Sequence, residues 1–398
     1  MSISNEKLNQ TQQVLKETKV DCWMILTRES IENNDPMLPF FYTGGVVWVS
    51  AFMFFASGRN VAIVGKHDAD AVEAEGVFAE VIPYVQGIKK PLLKVLEEEQ
   101  PRQIALDYSK DNTSADGLSH GLFCTLQDML AGTSFDGQTI SAEGLIGKIK
   151  GQKTPTEIAR IKRAIDITED YFNDLEGFVR PGIKLEEVTE FLHGKIAADG
   201  YGFAWSRDHN PSCTTGPGMA ASHFAPAGKT IEPGHCFHID FGIKTEGYCS
   251  DLQRTWYLLR GGESDAPDDV KTGFRVAYEA IQAAAKILKP GVQGWQVDKV
   301  GRDYLTSHGY EEYQHALGHQ VGVWAHDGGM VLAPRWERYG EAPNRKVEAG
   351  NVFTLELEVM TSAGFIGLEE IVEVTESGCR FLSKPQSELR LINAAASR

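Results

Sequence analysis

Residues 238–251 read HIDFGIKTEGYCSD and contain two aspartates, Asp240 and Asp251, on either side of a glycine-containing turn. Residues 244–247 have the composition of a tight turn, and the residues around them favour extended structure, so we expect a hairpin with one carboxylate on each strand. Two carboxylates side by side in a mostly apolar sheet repel each other, and both stay ionised only if a cation lies between them. The hairpin therefore indicates either a metal site or an acid–base pair that shares a proton.

Composition and charge exclude several classes of protein. The chain has 398 residues, with 39 Lys and Arg against 55 Asp and Glu, and a formal net charge of −16. This balance argues against a nucleic-acid or anionic-membrane partner, since both need basic surfaces. The longest apolar run, residues 46–56, is too short to span a bilayer. The polar N-terminus lacks the layout of a signal peptide, and the cysteines show no Cys-x-x-Cys spacing. We therefore expect a cytoplasmic protein with reduced thiols.

Two domains are expected from the order of the segments. In the first 150 residues, short apolar strands alternate with helical segments, which is typical of an α/β domain. The run Thr154-Pro155-Thr156-Glu157 is a capping box with proline at the first helical position, so a new helix begins there. We predict an N-terminal α/β domain over residues 1–150 and a second domain over residues 151–398.

The second domain contains an internal duplication. RPGI at residues 180–183 recurs as KPGV at residues 289–292, and IEPGHCFHID at residues 231–240 recurs as VEAGNVFTLE at residues 347–356. These matches occur in the same order in both copies. They predict two helix–helix–hairpin halves related by a pseudo-two-fold axis.

The duplication decides between a metal and a shared proton. The second hairpin adds Glu356 and Glu369 to Asp240 and Asp251, and four carboxylates in one cleft cost too much desolvation and repulsion without cations. Two divalent ions would neutralise all four. Carboxylate ligands suit harder ions such as Mn²⁺. His319, which lies between the two acidic hairpins in the sequence, offers a nitrogen ligand.

At these residues the sequence resembles the pita-bread metallopeptidases, the family of aminopeptidase P, prolidase, methionine aminopeptidase and the metal-free creatinase. The motifs that carry the resemblance are IDFG, GYCSD, LGHQVG, FTLE and GLEE. The resemblance implies an α+β protein, with a smaller creatinase-like α/β domain before a C-terminal pita-bread domain. It also implies a homodimer and two divalent ions, with manganese favoured over zinc or cobalt. The five ligands that it implies are Asp240, Asp251, His319, Glu356 and Glu369.

The resemblance also implies roles for residues around the ions. The nucleophile would be a water or hydroxide between the ions, and Glu356 would take its proton. His223 and His326 would hold the scissile carbonyl and stabilise the oxyanion. His315 would line the substrate side of the cleft, with a structural role nearly as well supported. For His238, which alternates with Asp240, packing is favoured over support of the ligands.

Two positions depart from the family and bear on the substrate. Met360 stands where the peptidases have a tyrosine, and Gly367 stands where prolidases have an arginine that helps to hold a substrate carboxylate. We expect a peptidase that cleaves short peptides before proline. The departures leave room for a slow peptidase, or for a hydrolase or lyase that acts on a small non-peptide substrate. A binding protein without catalysis is disfavoured because all five ligands are retained.

Overall fold

Two units divide the chain, Met1–Thr154 and Pro155–Arg398. The protein is described from a computed structural model, which covers residues 2–33, 35–219 and 228–393. Within these ranges no helix is both long and apolar enough to cross a membrane.

The first unit interleaves helices with strands. In chain order these are α1 (Ile3–Thr18), β1 (Cys22–Thr27), β2 (Ser50–Phe55), β3 (Asn60–Gly65), α2 (Ala69–Ala74), β4 (Glu80–Tyr84), α3 (Lys89–Glu99), β5 (Ile104–Leu106), α4 (His120–Leu130), β6 (Thr139–Ser141) and α5 (Glu143–Gly151).

These strands form one mixed sheet in the order β4-β3-β2-β1-β5-β6. The central strand β1 pairs antiparallel with β2 and parallel with β5. Strands β1, β2 and β3 are buried along their whole lengths, which explains why they read as continuous apolar runs rather than as alternating patterns. Apolar side chains of α3 and α4, such as Leu92 and Leu126, complete the core on one face of the sheet.

The second unit contains two pairs of long helices, each followed by strands. Its elements are α6 (Pro155–Phe178), α7 (Leu185–Asp199), β7 (Gly202–Phe203), β8 (Ser212–Thr215), β9 (Cys236–Phe241), β10 (Ile243–Thr245), β11 (Tyr248–Cys249), β12 (Leu252–Leu258), α8 (Asp268–Ile287), α9 (Gly294–Ser307), β13 (Gly318–His319), β14 (Val331–Leu332), β15 (Val352–Thr361), β16 (Gly364–Val374), β17 (Cys379–Phe381) and β18 (Arg390–Ile392).

The duplication is repeated in the backbone hydrogen bonds. In the first half, the Gly182 N–H donates to the carbonyl of Ile231 at 2.9 Å, and in the second half the Gly291 N–H donates to the carbonyl of Val347 at 2.9 Å. Both glycines lie in the left-handed region, with φ of 88° and 90°, where a side chain would be strained. Each helix–helix turn is therefore joined to the start of its own hairpin in the same way.

The main sheet of this unit has the strand order β15-β16-β12-β9-β8. The second acidic segment forms a long hairpin, because β15 and β16 pair antiparallel from Val352 with Glu373 to Thr361 with Gly364. Helix α8 packs its buried apolar face, including Phe274 and Ala277, into the core that this hairpin shares.

The first acidic segment forms more strands than the sequence predicted. The turn predicted at residues 244–247 is confirmed, since Thr245 pairs with Tyr248. The prediction of one simple hairpin with a carboxylate on each strand is wrong: β9 pairs with β12, and β10 with β11 form a separate inner hairpin. Gly242 permits this change of direction, because a Cβ there would lie 2.1 Å from the Ser250 carbonyl oxygen.

Candidate metal centre

One row of paired residues crosses four strands of the main sheet. Asp240 on β9 pairs with Gln253 on β12. Gln253 in turn pairs with Glu369 on β16, which pairs with Glu356 on β15. Directly paired residues point to the same face of a sheet. Asp251 lies just before β12, and its carboxylate comes within 4.8 Å of ligand atoms of Asp240 and Glu369. The sheet therefore gathers all four predicted carboxylates, named here the acidic cluster.

His319 reaches the acidic cluster from a neighbouring short strand. Its backbone N–H donates to Thr354 Oγ1 at 3.1 Å. Gly318 permits this approach, since a Cβ there would lie 2.0 Å from the carbonyl oxygen of Thr354. The His319 Nε2 atom lies 3.6 Å from Glu356 Oε1, 3.7 Å from Asp251 Oδ2 and 3.7 Å from a Glu369 oxygen, Oε1. Its Nδ1 lies 3.4 Å from the carbonyl oxygen of Gln320, which directs the Nε2 lone pair toward the carboxylates.

The contacts of His319 meet the geometric demands of metal binding, and the remaining acids lie close by. Two atoms bound to one ion at about 2.0–2.2 Å each can lie no more than about 4.4 Å apart, and the three contacts of His319 Nε2 fall within that limit. Three groups of residues bring one ligand atom each within 4.8 Å of one another. These groups are Asp240 with Asp251 and Glu369, His319 with Glu356 and Glu369, and Asp251 with His319 and His326.

The pKa values of these residues and their unpartnered oxygens also favour a metal site. Burial raises the pKa of Asp240 to about 7. Burial, followed by the charges of Asp240 and Glu356, holds the pKa of Asp251 well above its ordinary value. Burial likewise raises the pKa values of Glu356 and Glu369 and lowers the pKa of His319 to about 3. Oδ1 of Asp240 and Oε1 of Glu369 are buried without a hydrogen-bond partner in the described structure. Ionised carboxylates and a neutral imidazole become the favoured forms when a divalent ion is present.

Three other histidines were predicted for the site, and two of them, His326 and His315, lie within the described residues. The ring of His326 lies edge-on to the ring of His319, with 4.3 Å between centroids. The ring of His315 contacts Tyr313, with 5.6 Å between centroids, and its backbone carbonyl accepts from Arg302 Nη2 at 2.8 Å. His223 lies outside the described residues.

The sequence model of metallopeptidase family M24 matches residues 159–376, more than half of the chain. The chain belongs to metallopeptidase family M24. The predicted pita-bread family is thereby confirmed, and so is the prediction of a metallopeptidase. Membership of this family also implies divalent metal ions.

Several relatives and solved structures resemble this M24 peptidase along most of its length. It is 25% identical to the Xaa-Pro dipeptidase of Lactobacillus helveticus over 308 residues, 75% of this chain and 78% of that protein. Among solved structures, the Xaa-Pro dipeptidase from Bacillus anthracis has a TM-score of 0.72 at 23% identity, covering 98% of this chain and 99% of that one. The X-Pro aminopeptidase from Thermotoga maritima has a TM-score of 0.69 at 24% identity, covering 97% and 99%. These structural likenesses confirm the predicted α+β fold.

Gln253 is a residue of this M24 site that the sequence reasoning missed. Its side-chain Nε2 lies 3.2 Å from Glu356 Oε2 and 3.1 Å from Glu369 Oε2. Its Oε1 lies 3.0 Å from His238 Nε2, so His238 is connected to the ligands through Gln253. The available signal was its position two residues after Asp251, which a continuous strand would place on the same face.

The space beside Gln253 explains one of the two departures from the family. Gly367 lies in β16 opposite Glu358. A Cβ at Gly367 would lie 2.5 Å from Gln253 Oε1 and 2.5 Å from His238 Nε2. The arginine expected from the resemblance therefore has no room at this position.

A further carboxylate lies on the same strand face of this M24 site. Glu358 is half-buried and follows Glu356 by two residues on β15. Burial, followed by the charge of Asp240, raises the pKa of Glu358 to about 8. Over the described ranges its carboxylate forms no hydrogen bond or ion pair. Met360, the next residue on this face, is 47% exposed, so the strand leads from the acidic cluster toward solvent.

Proposed function

We propose that the protein is a metal-dependent hydrolase that cleaves short peptides before proline. The observation that carries this proposal is the convergence of the acidic cluster and His319 in one buried site, with donor atoms spaced for metal ions. The M24 membership and the Xaa-Pro dipeptidase among the relatives support the same reaction.

Two divalent ions would be held by the five predicted ligands, with manganese favoured and zinc or cobalt as alternatives. Asp240, Asp251, His319, Glu356 and Glu369 would together hold these ions. When bound, such ions supply Lewis acidity and a water molecule of lowered pKa. The unpartnered Oδ1 of Asp240 and Oε1 of Glu369 support this assignment, because each is a buried acceptor without a donor.

The remaining steps would fall to residues of the chain itself. Glu356 would accept the proton of the attacking water at its carboxylate. His326, whose ring contacts that of His319, would hold the scissile carbonyl and donate to its oxygen as charge develops. The family resemblance implies the same role for His223. His315 would contact the substrate from the side of Tyr313.

The proposal is tested with protein stripped of metal and reloaded with one defined ion at a time. Xaa-Pro dipeptides and Xaa-Pro-Yaa tripeptides are supplied, and release of the N-terminal residue is measured. We expect cleavage with Mn²⁺ and none after chelation. Full activity after verified metal removal would exclude a metal mechanism. Failure to cleave either series with metal bound would exclude the Xaa-Pro specificity.

A second candidate is a hydrolase or lyase on the same metal core that acts on a small non-peptide substrate. The half-buried carboxylate of Glu358, for which the described residues supply no partner, favours a cationic ligand such as a sulfonium compound, whose charge would stabilise the ionised form against the burial that raises its pKa. It disfavours a phosphoester. A comparison of cationic and neutral esters of equal size would test this. Under this second function, Glu358→Gln would abolish the preference for the cationic ester. Equal turnover of both esters by the unsubstituted protein would refute it.

A homodimer and a cytoplasmic location, both expected from the sequence, are further proposals. Light scattering of the purified protein tests the first. Fractionation of cells that produce it tests the second.

A further inference from the structure

Gln253 occupies the centre of the row that crosses the sheet, between Asp240 on one side and Glu369 on the other. It is 4% exposed, so its amide has little access to water. The amide nitrogen is within hydrogen-bond distance of one oxygen from each glutamate, at 3.2 Å from Glu356 Oε2 and 3.1 Å from Glu369 Oε2. A single NH₂ group, with its two hydrogens, therefore serves both carboxylates.

The direction of these hydrogen bonds is determined by chemistry. An ionised carboxylate only accepts, so the NH₂ group of Gln253 must face the two glutamates and its Oε1 must face away. Oε1 also only accepts, so the Nε2 of His238, 3.0 Å away, must carry a proton and donate it. The imidazole thus prevents the amide from turning over. Gly367 leaves the space that this pair occupies.

The two carboxylate oxygens of Glu356, like those of Glu369, have different surroundings. The Oε2 atoms accept from Gln253, whereas the Oε1 atoms of Glu356 and Glu369 lie 3.6 and 3.7 Å from His319 Nε2. Oε1 of Glu369 is buried and has no hydrogen-bond partner in the described structure. One oxygen of each glutamate is therefore held by the protein, and the other is left for an ion.

We propose that Gln253 is a positioning residue of the metal centre, which determines the glutamate oxygens that face the ions. His238 keeps its amide in the required orientation. This inference rests on the proposed ligand set but not on the proposed substrate. Without the amide, each carboxylate is free to rotate, and the two Oε2 atoms lose the donor that offsets their mutual repulsion.

The test uses Co²⁺ as the probe, titrated into metal-free protein in the absence of substrate. Gln253→Met keeps the approximate length of the side chain and removes the donor. We expect Co²⁺ to bind about 10–100-fold more weakly, as is typical when an outer hydrogen bond to a ligand is lost. We also expect the visible absorption bands of bound Co²⁺ to shift, because the carboxylate geometry around the ion changes. Unchanged affinity and unchanged bands would overturn the proposal.

A matched control separates this role from a general structural one. Gln386 is also a buried glutamine, at 5% exposed, and its side chain bonds the backbone of Thr255 at 3.0 and 2.7 Å. Gln386→Met should lower the melting temperature and leave the affinity and absorption bands of Co²⁺ unchanged. If the two methionine variants change the bands equally, Gln253 has no special part in positioning.

A second substitution keeps the test decisive if Gln253→Met fails to fold. Gln253→Glu preserves the shape of the side chain but replaces the donor by a carboxylate next to two others, so Co²⁺ affinity should fall. The affinity is compared with that of the unsubstituted protein at each pH, because protons also compete for the ligand carboxylates, and a lower affinity of the variant supports the proposal. Affinity equal to that of the unsubstituted protein at all pH values would overturn it. Absence of peptide cleavage alone refutes only the proposed substrate.

Discussion

Gly367→Ala adds a single methyl group at the most crowded point beside the candidate metal centre. The new Cβ would lie 2.5 Å from Gln253 Oε1 and 2.5 Å from His238 Nε2, whereas ordinary contacts begin at 3.4 Å. Gly367 is paired within β16, so the backbone cannot move without disturbing its neighbours. The methyl group must therefore separate Gln253 from His238.

The cost can be worked out from these contacts. Overpacking by one methyl group in a rigid site costs about 1–3 kcal/mol, and loss of one buried hydrogen bond costs about 0.5–1.5 kcal/mol. We therefore expect Gly367→Ala to lower the free energy of unfolding by about 1.5–4.5 kcal/mol. If the amide moves away from the glutamates, Co²⁺ affinity should fall as well.

The assay is urea unfolding of the metal-free protein, combined with Co²⁺ titration. Gly194→Ala in α7 is the matched control, since a Cβ there has no atom within 4 Å, and it should stabilise the helix by about 0.5–1 kcal/mol. When Gln253 is already replaced by Ala, Gly367→Ala should lower the free energy of unfolding by at least about 1 kcal/mol less, because Gln253 Oε1 no longer obstructs the new methyl group. A cost below about 0.5 kcal/mol, or one that is the same in both backgrounds, would refute the reasoning.

Three further predictions concern the carboxylates. Asp251→Asn should abolish peptide cleavage and lower the number of ions bound per chain, as measured by metal analysis; retained cleavage would exclude this residue as a ligand. Burial raises the pKa of Asp240 above its unfolded value to about 7, so metal-free protein should lose stability as pH rises through 7. The increase in melting temperature caused by Mn²⁺ should then grow from pH 5 to pH 8, and a constant increase would contradict this. In the first unit, burial raises the pKa of Asp35 to about 6 beside the buried Asp107. Its stabilising contribution is complete below its unfolded pKa and is lost as pH rises through 6, so Asp35→Asn should stabilise this unit at pH 7 and leave it unchanged at pH 4, as read by circular dichroism.

The second unit was the more predictable part of the fold. Its duplication appears in the sequence as repeated glycines, and Gly182 and Gly291 make the same hydrogen bond in the two halves. The acidic residues could be found because the repeat matches Glu356 to Asp240 and the second acidic segment adds Glu369. In the first unit the helices and strands were recognisable, but the position of β1 between an antiparallel and a parallel neighbour was not. Long-range pairing of fully buried strands leaves no periodic signal in a single sequence.

The features of the site that could not be predicted from the sequence depend on contacts between strands. Gln253 carries no chemistry that marks a catalytic residue, and its importance comes from two glutamates that lie more than a hundred positions away. From the sequence, Gly367 was interpreted only as the loss of an arginine. In the structure this position requires a residue without a side chain, because a Cβ would collide with Gln253 and His238. Glu358 did not stand out in the sequence, because its electrostatic interaction with Asp240 arises from the folding of the sheet.

The repeated halves have a consequence for the origin of the site. Each half contributes one pair of acids, Asp240 and Asp251 from the first and Glu356 and Glu369 from the second. A shorter ancestor with only one half could therefore have assembled four carboxylates by self-association, with the ions at the contact between identical chains. Gene fusion would then have freed the two copies to diverge. The single His319 of the candidate site and the lone Gln253 are asymmetries that a symmetric ancestor of this kind could not have possessed.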